Sequence, residues 1–279
     1  MSYKTIFVHL DTSEAVHSRL QLAISLAKQF DACLTGFFTS YRPAPGAFYP
    51  MSGSPEYYFE FDQRRTEQQG ALERLFHAEL LRLNVSGQWQ WSPEYPNRCV
   101  PNAARLADLV VAGQDNPDDP ESFVAEQFVE NLVMSSGRPV LVVPYAGQFQ
   151  SIASHVVLAW DGSREATRAL HDALPFLTRA KQVTVLTINA SENEPLPTRI
   201  PGSDIATIVS RYGAHVATRV VEDIADMRTG ETLLSAVADL GADLLVMGCY
   251  AHSRWRELVL GGATRSILKS MTVPVLMSH

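Results

Sequence analysis

Gly261-Gly262-Ala263-Thr264 opens the last helical stretch of this 279-residue chain. With no Cβ at its first two positions, an anion can approach the backbone N–H groups that a helix start leaves unused. Glycine-rich helix starts of this kind cradle phosphates. Two further residues stand beyond the carboxyl ends of apolar runs, where open α/β sheets take their ligands. Asp161 closes the run 155–160, and Gly248 closes the run 244–247. The chemistry these types allow is recognition of a phosphorylated ligand. Catalysis has less behind it. His252 and Ser253 suggest a nucleophile and base, yet no third group is placed by the sequence, so they read as loop polars or ligand contacts. There is no P-loop, no G-x-G-x-x-G fingerprint and no metal-ligand spacing.

These residues need a scaffold, and the chain writes that scaffold twice. Asp108-Leu-Val-Val-Ala-Gly113 returns as Asp243-Leu-Leu-Val-Met-Gly248. Gly113 to Pro139 is 26 positions, and so is Gly248 to Pro274. Phe7-Val-His-Leu-Asp-Thr-Ser13 returns as Val157-Leu-Ala-Trp-Asp-Gly-Ser163. A repeat of this length predicts two related domains, 1–147 and 152–279, joined by a short polar linker at 145–154. In each, near-continuous apolar strands alternate with amphipathic helices, which predicts parallel sheets covered on both faces. The first repeat reads as strands at 5–10, 34–38, 85–91, 109–113 and 140–143. Helical periodicity runs through Leu20, Ala23, Ile24 and Ala27, over 63–83, toward 103–107 and over 125–135. The second reads as strands at 155–160, 183–188, 215–221, 244–247 and 275–277, with helices at 164–176, 204–212, 231–240 and 263–270. The fold class is α/β: two tandem five-stranded, mostly parallel, doubly wound, Rossmann-like domains. The segment 41–58, rich in Pro, Gly and Tyr, reads as a long loop, and Tyr57, Tyr58, Phe59 and Phe61 as either a docking patch or cover for a core edge.

Hydrophobic residues make up 46% of the chain, enough for two cores, and the net charge is −7 with a pI near 5.6. That balance argues against broad nucleic-acid binding, which needs a basic face. Cys33, Cys99 and Cys249 have no paired spacing and read as reduced thiols. Cys249, beside Gly248, reads as an apolar filler ahead of a redox sensor. No signal peptide and no membrane-spanning run are evident, so the expected location is the cytoplasm.

The stretch from Met247 to Thr264 resembles the nucleotide-binding signature of the universal stress protein family, G-x2-G-x9-G-[S/T], set between an apolar strand and a helix leading to a Pro-Val-Leu strand. The likeness extends over both repeats as a tandem member. It implies the adenine nucleotide alpha hydrolase-like version of the fold, with ATP or another adenine nucleotide at one sheet end and Mg²⁺ as a companion ion. Carried over by position, Asp161 would sit by the adenine with Ile188 beside the base. Met247 and Gly248 would line the ribose side. Gly261, Gly262, Ala263 and Thr264 would hold the phosphates, the Thr264 hydroxyl adding a contact. Two positions depart from the pattern: Ala251 replaces the second glycine, and Gly262 replaces the hydroxyl residue. The lost hydroxyl contact is worth roughly 1.5–3 kcal/mol. Arg254, Arg256 and Arg265 lie close enough in sequence to compensate electrostatically.

The first repeat lacks the signature. With the offset 248 − 113 = 135, Gly261, Gly262 and Ala251 correspond to Glu126, Gln127 and Asn116. Asp115, Asp118, Asp119 and Glu121 fill the intervening loop, so no nucleotide phosphate is expected there by this route. Three readings stand: a stress-response protein with a regulatory nucleotide in the second repeat, a slow ATP hydrolase or adenylyl-transfer enzyme, and a nucleotide-free scaffold. The family likeness also implies intramolecular pairing of the two domains through their last strands, and a homodimer of the whole chain is an open expectation.

Overall fold

The computed structural model describes residues 2–40, 55–189, 200–222, 229–250 and 262–279. Ala251, His252, Ser253, Gly261 and residues 41–54 therefore lie outside the described residues. The chain divides into two compact units, Tyr3–Ser136 and Gly137–His279, the latter with Met1–Ser2.

The N-terminal unit holds β1 (Thr5–Leu10), α1 (Val16–Phe30), β2 (Cys33–Thr39), α2 (Pro55–Leu83), β3 (Gly87–Ser92), α3 (Pro96–Ala104), β4 (Leu109–Gly113) and α4 (Phe128–Ser136). Its strands run in the order β3-β2-β1-β4, all parallel. β1 and β4 are buried almost throughout, as two-sided strands must be. Asp108 fixes their register: its Oδ2 accepts the N–H groups of Lys4 and Thr5 at 2.8 and 3.0 Å.

Two helices depart from the sequence pattern. α2 begins at Pro55, eight residues before the periodicity at 63 and inside the expected loop. Proline fits a first helical position because that N–H is unused there. α3 occupies a stretch whose Pro96 and Pro101 hid it. Pro96 opens the helix, and Pro101 lies inside it, where it supplies no N–H to the helical ladder.

The C-terminal unit holds β5 (Val140–Val143), β6 (His155–Ala159), α5 (Arg164–Leu177), β7 (Gln182–Asn189), α6 (Gly202–Ser210), β8 (Val216–Glu222), α7 (Thr229–Asp239), β9 (Leu244–Gly248), α8 (Gly262–Ser270) and β10 (Val275–Ser278). The order is β5-β10-β9-β6-β7-β8. Every pairing is parallel except β5 with β10, where Val142, Leu141 and Val140 face Val275, Leu276 and Met277. Strand order reverses between β6 and β9, which opens a crevice at their carboxyl ends. Asp243 repeats the work of Asp108, accepting the N–H groups of Ser154 and His155 at 3.0 and 2.9 Å. The α/β fold with mostly parallel sheets agrees with the sequence reading. Among the described residues no helix is long and apolar enough to cross a membrane.

Candidate functional site

At the carboxyl end of β6, Trp160 and Asp161 leave the sheet. The Trp160 N–H donates to the Leu186 carbonyl at 2.8 Å and its indole Nε1–H to the Ile200 carbonyl at 2.8 Å, which ties the ends of β6 and β7 together. Ile188, two residues past Leu186 on β7, is half-buried opposite Val221. The Asp161 side chain is exposed, and its Oδ1 accepts the Ser163 N–H at 2.9 Å. Ser163 in turn caps α5, its hydroxyl accepting the Ala166 N–H at 3.0 Å. Asp161 thus shapes the turn and still faces outward at the crevice.

Gly248 ends β9, and a reason for glycine there is visible. A Cβ at this position would stand 2.4 Å from both Ala166 N and the Glu165 carbonyl carbon. The first turn of α5 lies directly against it. Met247 is only 6% exposed, so backbone is what it can present. Tyr250 follows with φ +64, a left-handed conformation rarely adopted by a residue with a bulky side chain.

α8 starts at Gly262. Gly262 is exposed, and a Cβ there would meet nothing within 4 Å. Gly230, on α7, packs against this first turn: a Cβ on it would come within 2.7 Å of the Ala263 carbonyl. Ala263 is half-buried. Thr264 departs from the expected role, being 3% exposed with its hydroxyl hydrogen-bonded to the Cys249 thiol. Its side chain is committed to the interior, whereas Gly262 presents bare backbone at the exposed start of α8. The structure therefore brings Asp161, Ile188, Met247 and Gly248 to one end of the sheet, with Gly262 and Ala263 opening α8.

Burial pushes the Cys249 thiol up to about 12, against a smaller lowering by Thr264. At pH 8 the thiol is therefore held protonated, and the thiolate is the reactive form. Cys99 is buried and also raised, mainly by burial, whereas Cys33 is exposed. A colorimetric thiol reagent at pH 8 is expected to titrate one cysteine quickly and two more after denaturation. Fast reaction of Cys249, read by peptide mapping, would reinstate it as a redox site.

The corresponding region of the N-terminal unit is built differently. Two acids of the exposed loop, Asp119 and Glu121, are hydrogen-bonded back into the fold. Asp119 Oδ2 accepts the Glu14 N–H at 3.0 Å, and Glu121 accepts from the Thr12 hydroxyl and pairs with Arg64, each at 2.5 Å. Behind it, Asp11 pairs with Arg19 at 2.6 Å, the two side chains 10% and 2% exposed. Burial alone would raise the Asp11 carboxyl, but the Arg19 guanidinium overrides this and holds it below the usual range. His9, 1% exposed and packed at a tilt against Phe128 with ring centroids 4.7 Å apart, has no hydrogen-bond partner at either ring nitrogen among the described residues. Burial lowers it to about 4. Sequence reasoning missed both Arg19 and His9. The available signals were an arginine on the apolar face of α1, four residues before Ala23, and a histidine inside an apolar strand.

Residues 153–279 match the description of the universal stress protein family. A universal stress protein from Synechocystis sp. (strain ATCC 27184 / PCC 6803 / Kazusa) is 28% identical over 149 residues, covering 53% of this chain and 49% of that protein. The chain thus spans about half the length of that curated relative. Among solved structures, a universal stress protein from Archaeoglobus fulgidus DSM 4304 shares the fold with a TM-score of 0.70 at 14% identity, over 98% of this chain and 95% of that one. A functionally unknown protein from Pseudomonas aeruginosa PAO1 gives a TM-score of 0.62 at 15% identity, over 99% and 92%.

Proposed function

We propose that the second repeat, 152–279, which matches the universal stress protein family over residues 153–279, binds ATP or a related adenine nucleotide as a regulatory ligand in a stress response. The first repeat, 1–147, serves as a partner without a nucleotide. The observation that carries this reading is the start of α8, where Gly262 is exposed and a Cβ would meet open space. A phosphate fits that position, since the N-terminal N–H groups of a helix and its dipole favour an anion.

In this reading the Gly262 and Ala263 N–H groups hold phosphate oxygens, with Gly261 completing the turn. Asp161, exposed at the end of β6, accepts from the base or ribose, and Ile188 packs beside the base. Gly248 lets α5 close against β9, and Gly230 keeps α8 aimed at the crevice. A divalent ion would arrive on the phosphates themselves, since no group of three acidic, His or Cys side chains that could hold one occurs among the described residues. The antiparallel register of β5 with β10 supports pairing of the last strands of the two repeats within one chain.

Calorimetric titration with ATP and with a non-hydrolysable analogue tests the proposal. The expected result is equal affinity for both and no ADP released. Turnover of ATP would make the site enzymatic. No heat with either ligand would leave a nucleotide-free scaffold.

A further inference from the structure

At one buried helical position the first repeat carries a charge where the second carries alanine. With the offset 161 − 11 = 150, Arg19 of α1 stands where α5 carries the fully buried Ala169, since 169 − 19 is also 150. The Arg19 guanidinium lies at the carboxyl ends of β1 and β4, the pair between which strand order reverses in the N-terminal unit. Its Nη2 donates to Asp11 Oδ1 at 2.6 Å and to the Ser13 hydroxyl at 3.4 Å. Its Nη1 stands where a side chain on Gly113 would begin, 1.8 Å from an ideal Cβ. We propose that Arg19 is a built-in plug, its guanidinium filling from within the hollow where this architecture takes ligands, so that removing it leaves a site for a free guanidinium cation.

The surrounding chain has adapted to the plug. Both serines give their N–H to the aspartate two residues earlier, but the Ser163 hydroxyl caps α5 whereas the hydroxyl of its counterpart Ser13 donates to Asp11 at 2.5 Å. α1 consequently starts at Val16 without a side-chain cap, whereas α5 starts at Arg164, the counterpart of residue 14. The Val16 N–H, counterpart of the Ala166 N–H that the Ser163 cap serves, donates to the Ser13 carbonyl at 3.2 Å, and the Glu14 N–H donates to Asp119 at 3.0 Å. Arg19 Nε and both nitrogens of His9 are buried without partners among the described residues, so polar hydrogen-bonding capacity remains unused around the guanidinium. This inference concerns the N-terminal repeat and stands or falls apart from nucleotide binding in the second.

The test is thermal melting of the full chain carrying Arg19→Ala. Leaving Asp11 buried and unpaired should lower Tm by about 10 °C. Guanidinium chloride at about 10 mM should recover a third or more of that loss by binding the folded state, while sodium chloride and urea at equal concentration recover none. Arg19→Met fills the hollow without the charge, so its Tm should fall without guanidinium recovery. Guanidinium acting no better than sodium chloride on Arg19→Ala, or equally on both variants, would overturn the proposal. Should Arg19→Ala not fold, Gly113→Ala supplies a second measurement. Its new Cβ collides with Nη1 in the parent, so its Tm loss should shrink by at least half in the Arg19→Met background, where the unbranched thioether can yield. Equal losses in the two backgrounds would again overturn it.

Discussion

Gly262→Glu is expected to abolish measurable ATP binding while leaving the melting temperature of the protein almost unchanged. The separation of the two effects comes from the start of α8. A side chain at 262 meets nothing within 4 Å, so the fold has no steric reason to object, and an acidic residue in a first turn complements the helix dipole. For a bound phosphate the same carboxylate is a like charge at close range. Two unit charges 4 Å apart repel by about 4 kcal/mol at the dielectric typical of a protein surface. Allowing for solvent at an exposed position, a loss of about a hundredfold or more in affinity is expected. Gly262→Ser restores the hydroxyl that the family signature carries and should tighten binding about tenfold through one hydrogen bond to a charged oxygen. Calorimetry on the three proteins decides: a Gly262→Glu variant that binds ATP as tightly as the parent removes α8 from the site.

Much of this arrangement is legible in the chain because the repeat makes each half a control for the other. The apolar runs at β1, β4, β6 and β9 are two-sided strands and read directly as such. The acidic residues that open Asp108-Leu-Val-Val-Ala-Gly113 and its copy are legible as positions but not as strand clamps, since their partners at Lys4, Thr5, Ser154 and His155 lie some 90–100 residues away. Thr264 illustrates a different limit. A hydroxyl at a helix start has both an inward and an outward use, and only packing against Cys249 selects the inward one. The absence of the glycine pair from the first repeat is legible through Glu126 and Gln127, but the packing of Arg19 against Gly113 is not. Spacing alone does not distinguish an arginine on an apolar helical face from one that reaches to solvent. Pairing with Asp11 requires knowing that α1 crosses the end of β4, and that crossing is a tertiary fact.

The second large effect concerns acid. Between pH 7 and pH 4.5 the protein is expected to lose about 2 kcal/mol of stability through His9 alone. Burial, the dominant cause, lowers the His9 imidazole from its ordinary value of 6.5 to about 4, with Asp11 raising it and Arg19 lowering it by less. The unfolded chain therefore accepts a proton that the folded chain refuses. The stability contributed by neutral His9 is complete above pH 6.5 and drains away as pH falls toward 4. At about 1.4 kcal/mol per pH unit, the gap between 6.5 and 4 totals about 3 kcal/mol. Asp11 behaves similarly but at more acid pH, because its folded value lies below the ordinary 3.8; it contributes little above pH 4.5. His9→Phe keeps a ring against Phe128 and discards both unpartnered nitrogens. Urea unfolding of the parent and of His9→Phe at a series of pH values isolates the effect, since the carboxylates titrate in both proteins. The variant should hold its stability through the window in which the parent declines. Parallel curves for the two proteins would mean that His9 finds a proton-accepting environment in the folded state, and that the interior behind Asp11 and Arg19 is wetter than its packing indicates.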